Sequence, residues 1–378
     1  MKVLVVSSGK PTSQYPLVGN FEFDQAIALA SIGVDIDYFA VDLRSYRRKR
    51  RWGISHGVND GVNWHVISIP LGAVPIKFLC FCGKMALLVL YKKVFKTRHY
   101  RPDIIHAHFT EIGYMAAYLS KKTDIPLVIT EHSSLINRFP VSEEILKCAI
   151  GGYGQASKVI AVSNALSKNI FKNTGENAVV VPNMIKLDVF YNAKKKNHKG
   201  FKIVTTANLV PGKRISLLVD SFSSHAQEHL DWYLDIIGDG PLKDELEKII
   251  KRNGLRERIR LMGYCNSKEI AKIYEYSDCF VLPSSSETFG VVYIEAMAAG
   301  LPVIATKCGG PEDFVNEKNG ILVDTDDSIQ LTEALLKMSK TFEKYSEDYL
   351  RRFAKENYAP QIIANRLYSI YKEIIKNG

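Results

Sequence analysis

A chain of 378 residues is about two and a half times a typical single domain, so two domains of ordinary size are expected and one small domain is excluded. With 46% hydrophobic and 24% charged residues, 14 Pro and 25 Gly, it is a cored globular protein, neither fibrous nor disordered. Its 50 basic residues against 40 acidic ones give +10, and the excess lies in one half: residues 1–195 hold 25 Lys/Arg and 14 Asp/Glu, residues 196–378 hold 25 and 26.

Met1-Lys2 runs straight into Val3-Leu4-Val5-Val6 and a polar loop, with no charged lead, apolar stretch and cleavage site, which reads as cytosolic. Short apolar runs then alternate with longer helical patterns, as βαβ units around parallel sheets do. Strands are predicted at Val3–Ser7, Asp35–Ala40, Trp64–Ile69, Ile104–Ala107, Leu127–Thr130, Lys158–Val162 and Val179–Val181, with a helix at Asn20–Ser31 ended by Gly33. The polar run Asn192–Gly200 is the best linker. A second series follows: strand Phe201–Thr206, helix 213–225, strand Trp232–Ile237, helix 241–253, strand 259–262, then Cys279–Leu282, Val303–Ala305 and Ile321–Val323. Two domains are therefore expected, 1–195 and 196–357, each a doubly wound α/β sheet, facing each other across a cleft at the C-terminal strand ends. Six scattered cysteines with no CxxC read as reduced and buried.

The longest apolar candidate, Val74–Phe95, is interrupted by Lys77, Lys84, Lys92 and Lys93 and cannot span a membrane. The segment Pro75–Tyr100 mixes basic and apolar side chains in one helix, which suits an anionic membrane surface with lysine stems reaching the headgroups. The run from Arg44 to Trp52 is open to three readings: a solvated loop, a nucleic-acid contact, or part of the same membrane-facing half, the last being preferred.

The stretch Ser284 to Gly300 follows a short strand and opens an amphipathic helix. Glu287 lies in its loop, Glu295 about two turns later, and the Phe289-Gly290-Val291 backbone offers N–H groups at a helix N-terminus, which binds phosphate without a basic side chain. Alone, the two glutamates could be surface carboxylates on a capped helix. Together with Ile236-Ile237-Gly238-Asp239-Gly240-Pro241-Leu242, Val281-Leu282-Pro283-Ser284, Gly300-Leu301-Pro302-Val303-Ile304-Ala305, Gly309-Gly310 and Asn319 to Val323, the Glu-x7-Glu spacing resembles the signature of retaining glycosyltransferases of family 4. The likeness is thinner but in register in the first half, at Gly19, Asp103 to His108, Thr130-Glu131-His132, Ala161-Val162-Ser163 and Val181-Pro182-Asn183.

The resemblance implies a GT-B fold of two facing Rossmann-like domains, with a C-terminal helix at about 358–378 returning to the first. It implies a nucleotide-sugar donor, a UDP-sugar before GDP-mannose, and a glycan or lipid-linked glycan acceptor in cell-surface polysaccharide synthesis such as lipopolysaccharide, capsule or exopolysaccharide. Glu295 would hold the ribose hydroxyls and Glu287 those of the donor sugar, since ionised carboxylates accept paired hydrogen bonds from vicinal hydroxyls. Lys213 falls where the family places a lysine on the diphosphate. Phe289, Gly290 and Val291 would meet the donor through their backbone, and Gly19 would let backbone approach it. His132, following a strand, would lie near the reacting sugar.

Two departures from the family's pattern matter, one being Met184 in place of a usual Gly after Pro182-Asn183. Asn208 stands where the family usually carries an Arg, five residues before Lys213, and Arg214 is the candidate replacement cation. No acidic pair is placed to hold a metal on a diphosphate: Asp326-Asp327 reads as a helix cap, so neither metal nor cofactor is expected. His106 and His108 are read as structural, on opposite faces of one strand. The alternatives are another GT-B enzyme, an epimerase or phosphorylase, and a catalytically silent glycan- or nucleic-acid-binding protein of the same fold. A cytoplasmic enzyme docked on the membrane surface, without nucleic acid, is expected.

Overall fold

The computed structural model describes residues 1–15, 18–45, 50–95, 101–137 and 140–377. The chain divides into two compact units, Met1–Asn183 with Pro360–Gly378, and Met184–Ala359.

Unit 1 runs β1 (Lys2–Ser7), α1 (Asn20–Ser31), β2 (Asp35–Asp42), β3 (Gly53–Asn59), β4 (Val62–Ser68), α2 (Ile76–Phe95), β5 (Ile104–His108), α3 (Thr110–Thr123), β6 (Leu127–Glu131), α4 (Glu143–Tyr153), β7 (Lys158–Ala161), α5 (Asn164–Thr174) and β8 (Ala178–Val180). Its sheet has the order β3-β4-β2-β1-β5-β6-β7-β8, parallel except for the β3–β4 hairpin. The central strands are apolar on both faces and fully buried, as Leu4, Val6, Ile104, Ile105 and Leu127 to Ile129 are, because helices cover both sides. β3 answers to no predicted strand. Most of it is exposed, so its residues carry little apolar signal, and it pairs through a turn at Asp60-Gly61, both at positive φ.

Unit 2 runs α6 (Leu187–Phe190), β9 (Phe201–Thr206), α7 (Ile215–His225), β10 (Trp232–Ile237), α8 (Lys243–Arg252), β11 (Ile259–Gly263), α9 (Ser267–Tyr274), β12 (Cys279–Leu282), α10 (Val291–Ala298), β13 (Val303–Thr306), β14 (Gly320–Val323), α11 (Ser328–Thr341) and α12 (Glu347–Tyr358). Its six parallel strands follow the order β11-β10-β9-β12-β13-β14, which reverses direction between β9 and β12. α13 (Pro360–Asn377) returns to unit 1 and packs on α1. There the buried Tyr371 hydroxyl lies 2.6 Å from His106 Nδ1.

The boundary falls at 183/184, twelve residues before the one expected at 195/196. The run 192–200 is charged, yet it is fastened to unit 2: Lys196 pairs with Glu275 at 2.6 Å, Lys195 with Asp278 at 3.1 Å, and the Ala193 carbonyl accepts from Arg351 at 2.6 Å. At the far end Tyr358 remains in unit 2, its ring 5.7 Å from that of Phe289.

Candidate active site

Open parallel sheets bind ligands beyond the C-terminal strand ends, where the strand order reverses. In unit 2 that point is flanked by the loops after β9 and β12, and each supplies a charged side chain. Lys213 ends a 3-10 turn, Pro211–Lys213, and Glu287 lies between β12 and α10. Lys213 Nζ donates to Glu287 Oε1 at 2.6 Å, and Ser284 Oγ donates to the same oxygen at 2.7 Å. The two loops are locked to each other by backbone, Ser285 N to the Gly212 carbonyl at 2.9 Å. Glu287 is held on its other side by backbone bonds to the loop after β13, its N–H to the Cys308 carbonyl and its carbonyl to the Gly310 N–H. Ser284, fully buried, is a site residue that sequence reasoning did not single out, although it closes the predicted Val281-Leu282-Pro283-Ser284 run.

The Gly238-Asp239-Gly240 turn after β10 braces the lysine loop. Gly238 sits at φ 139°, where a Cβ would stand 1.8 Å from the Ala207 carbonyl oxygen, so only glycine fits. Asp239 in turn accepts the Leu209 N–H at 2.9 Å.

The structure places Phe289 in the core, its ring against Phe314 and Tyr358, which leaves its backbone for any ligand. Gly290 caps α10 in the left-handed region at φ 94°, and Val291 opens the helix. Glu295, partly buried on α10, is pushed up to about 7 by burial, opposed by the charge of Lys186. Asn208 is exposed. Arg214 adopts a left-handed φ of 52°, which breaks the expected helix 213–225, so that α7 starts at Ile215. Its guanidinium grips Asp326 at 2.6 and 3.2 Å, and is thus engaged by a carboxylate rather than standing as an unpaired cation. Asp327 caps α11 through the Gln330 N–H.

Gly19 and His132 belong to unit 1. Gly19 caps α1 at φ 65°, and a Cβ there would meet the Gly9 carbonyl oxygen at 2.2 Å, so the glycine serves the close folding of its own loop. His132 follows β6. Its Nε2 lies 3.1 Å from His108 Nδ1, and burial pushes it down to about 4 against a hydrogen bond to the Asn183 side chain, so it is neutral at physiological pH. Before it, Glu131 is fully buried and accepts from Thr110, Tyr153 and the amides of His132 and Ser133, fixing the turn that presents the imidazole. His106 and His108 do not face opposite sides: residues two apart in a strand share a face. Their rings lie 4.4 Å apart, with His106 held between Thr130 and Tyr371. Phe109, at φ 71° with its ring 5.1 Å from that of His132, is a strained neighbour that no sequence signal marked.

Among the described residues the basic run is partly spent on structure. Arg44 and Arg50 both bind Asp42, at 2.7 and 3.0 Å, while Arg47, Arg48 and Lys49 lie outside the described residues. No described helix is long and apolar enough to cross a membrane.

Residues 19–189 match the family described as Glycosyltransferase Family 4, and residues 189–356 match Glycosyl transferases group 1, so that the two span most of the chain. The chain belongs to glycosyltransferase family 4. The transferase is 29% identical to the alpha-monoglucosyldiacylglycerol synthase of Acholeplasma laidlawii, over 78% of this chain and 82% of that protein. It is also 29% identical to a Bacillus subtilis glycosyltransferase named for teichuronic acid biosynthesis, TuaC, over 89% and 88%. Its fold is that of Anabaena HepE, solved in complex with UDP, at a TM-score of 0.75 and 22% identity over 99% of this chain and 100% of that one. The architecture is accordingly GT-B, two Rossmann-like parallel-sheet domains.

Proposed function

We propose that the transferase is a retaining hexosyltransferase that takes its sugar from a nucleotide-sugar and adds it to a glycan or lipid-linked glycan in cell-surface polysaccharide synthesis. The observation that carries this reading is the Lys213–Glu287 pair on the two loops that flank the sheet reversal of unit 2. A UDP-sugar is the first donor to test and GDP-mannose the second. The UDP held by HepE supports that order, as the names of the Acholeplasma and Bacillus relatives support a glycolipid or surface-polymer acceptor.

Lys213 stabilises the diphosphate as it departs and gains charge. Glu287 takes the hydroxyls of the donor sugar, oriented by Ser284, and Glu295 takes the ribose hydroxyls. The Gly290 and Val291 backbone, with that of Phe289, faces the phosphates. The bond from the anomeric carbon to the phosphate oxygen breaks while the acceptor oxygen bonds that carbon on the same face, and the acceptor proton passes to the leaving phosphate. Neutral His132 positions a hydroxyl by hydrogen bonding. Gly19 keeps the first loop of unit 1 tight. Arg214 serves the diphosphate only if it leaves Asp326, and Asn208 supplies no charge. Neither metal nor cofactor takes part.

Unit 1 is the acceptor half. On α2, Phe78, Phe81 and Val89 are 50%, 59% and 53% exposed and lie at helical spacing with Lys92. An apolar stripe with lysines at its end suits peripheral docking on an anionic cytoplasmic membrane surface.

The test is a panel of UDP- and GDP-sugars incubated with membrane lipid extracts, followed by nucleotide release and by NMR of the new anomeric centre. An α-linked product from an α-linked donor is expected, and a β-linked product would overturn retention. The Asn208 departure favours a second reading, a silent glycan- or nucleic-acid-binding protein, which absence of both transfer and donor hydrolysis would support.

A further inference from the structure

We infer that His225, Glu228 and His229 form a binding site for a zinc-class divalent cation at the end of α7 opposite Lys213. One ligand atom from each residue lies within 4.8 Å of the others. The cluster is built by the turn that ends the helix. The N–H groups of Glu228 and His229 both return to the His225 carbonyl, at 3.2 and 3.0 Å, so helical register continues and positions i, i+3 and i+4 share one face. α7 has 11 residues, which puts the cluster about 16 Å along the helix from the lysine loop.

Two features prepare the imidazoles. His225 Nε2 lies 3.1 Å from the Thr332 carbonyl oxygen on α11. A carbonyl only accepts, so Nε2 carries the proton and Nδ1 keeps its lone pair for a metal, the arrangement that carbonyl partners impose on metal-binding histidines. The His229 ring lies flat on the buried Trp232, 4.7 Å between centroids at 15°, and its carbonyl is held by Arg258 at 2.9 Å. Glu228 is exposed and free to swing. Bonds of about 2.0–2.1 Å in a tetrahedral site set ligands about 3.3 Å apart, which small side-chain rotations reach. Two imidazoles and a carboxylate select zinc, nickel or copper over the oxygen-seeking magnesium and calcium, and leave a fourth position to water. The bound ion would fasten the end of α7 to its following loop and, through His225, to α11.

The test uses untagged full-length protein freed of metal with EDTA and titrated with Zn²⁺ by calorimetry at pH 7.5, with its melting temperature followed in parallel. Saturable binding of one ion per chain and a raised Tm are expected, as is quenching of Trp232 by Cu²⁺. His229→Ala should weaken Zn²⁺ binding at least tenfold and abolish the rise in Tm. Exposed Glu228→Gln, which disturbs no packing, should weaken binding several-fold. Absence of saturable binding, or equal affinity in wild type and a His225→Ala/His229→Ala double variant, would overturn the site and leave the two rings as aromatic packing around Trp232.

Discussion

On the proposed mechanism, the Lys213–Glu287 pair should matter more for turnover than for stability. The two side chains are 26% and 11% exposed, and partly exposed ion pairs contribute at most about 1 kcal/mol to folding. Glu287→Ala and Lys213→Ala should each lower kcat by a factor of about 100 or more with little change in melting temperature, because the proposed mechanism puts both groups where charge and bonds change. Near-wild-type rates in both variants would remove the mechanism. Glu295 behaves differently. Ribose contacts differ little between ground and transition state, so Glu295→Ala should mainly raise donor KM. Its folded pKa of about 7 lies above the ordinary 4.5, so the folded chain holds the proton more tightly than the unfolded one. Its contribution to stability therefore falls as the pH rises from about 4.5 through 7. Donor KM should fall over the upper part of the same window as the carboxylate ionises, and KM in Glu295→Gln should be flat between pH 6 and 8; an unchanged slope in that variant would assign the titration elsewhere.

At the scale of elements, strands that carry continuous apolar runs were legible from composition and spacing, because burial on both faces leaves that mark. β3 left none, being largely exposed, although Asn59-Asp60-Gly61 before an alternating stretch was a usable hairpin signal. The chemistry-bearing loop of Glu287 could be placed from the strand before it and the helix after it, whereas its partner atoms could not. The bonds from Lys213 and Ser284 to one oxygen depend on loops from different strands meeting, which spacing does not encode. Arg214 shows the same limit, since Asp326 lies 112 residues away. α2 carries its own prediction. Binding to liposomes should rise with anionic lipid content and fall with salt, each surface lysine contributing about 1 kcal/mol and screening setting in over about 10 Å at 0.1 M. Charge reversal at Lys92 and Lys93, together with Lys96 outside the described residues, should release the protein and leave donor binding intact. Equal binding to neutral and anionic vesicles would refute docking, and tight duplex DNA binding lost on changing Arg47 to Arg51 would favour the nucleic-acid reading.

For the molecule as a whole, transfer should persist in excess EDTA, because Lys213 and helix N–H groups are assigned the leaving-group charge. Loss of rate that Mg²⁺ or Mn²⁺ restores would refute that assignment. The same EDTA should lower Tm if the His225 site is loaded, separating a metal that braces α7 from one that acts on the substrate. The course of the backbone has a further consequence. Since α13 packs on α1 and Tyr371 supplies the partner of the buried His106 Nδ1, unit 2 is inserted into unit 1. On the ribosome, the first unit to emerge is then the last to be completed: its eight strands are out early, but the whole of unit 2 must leave the exit tunnel before residue 371 does. Until then the face of unit 1 that receives α13 stays open, and unit 2 can mature ahead of the half that precedes it in translation.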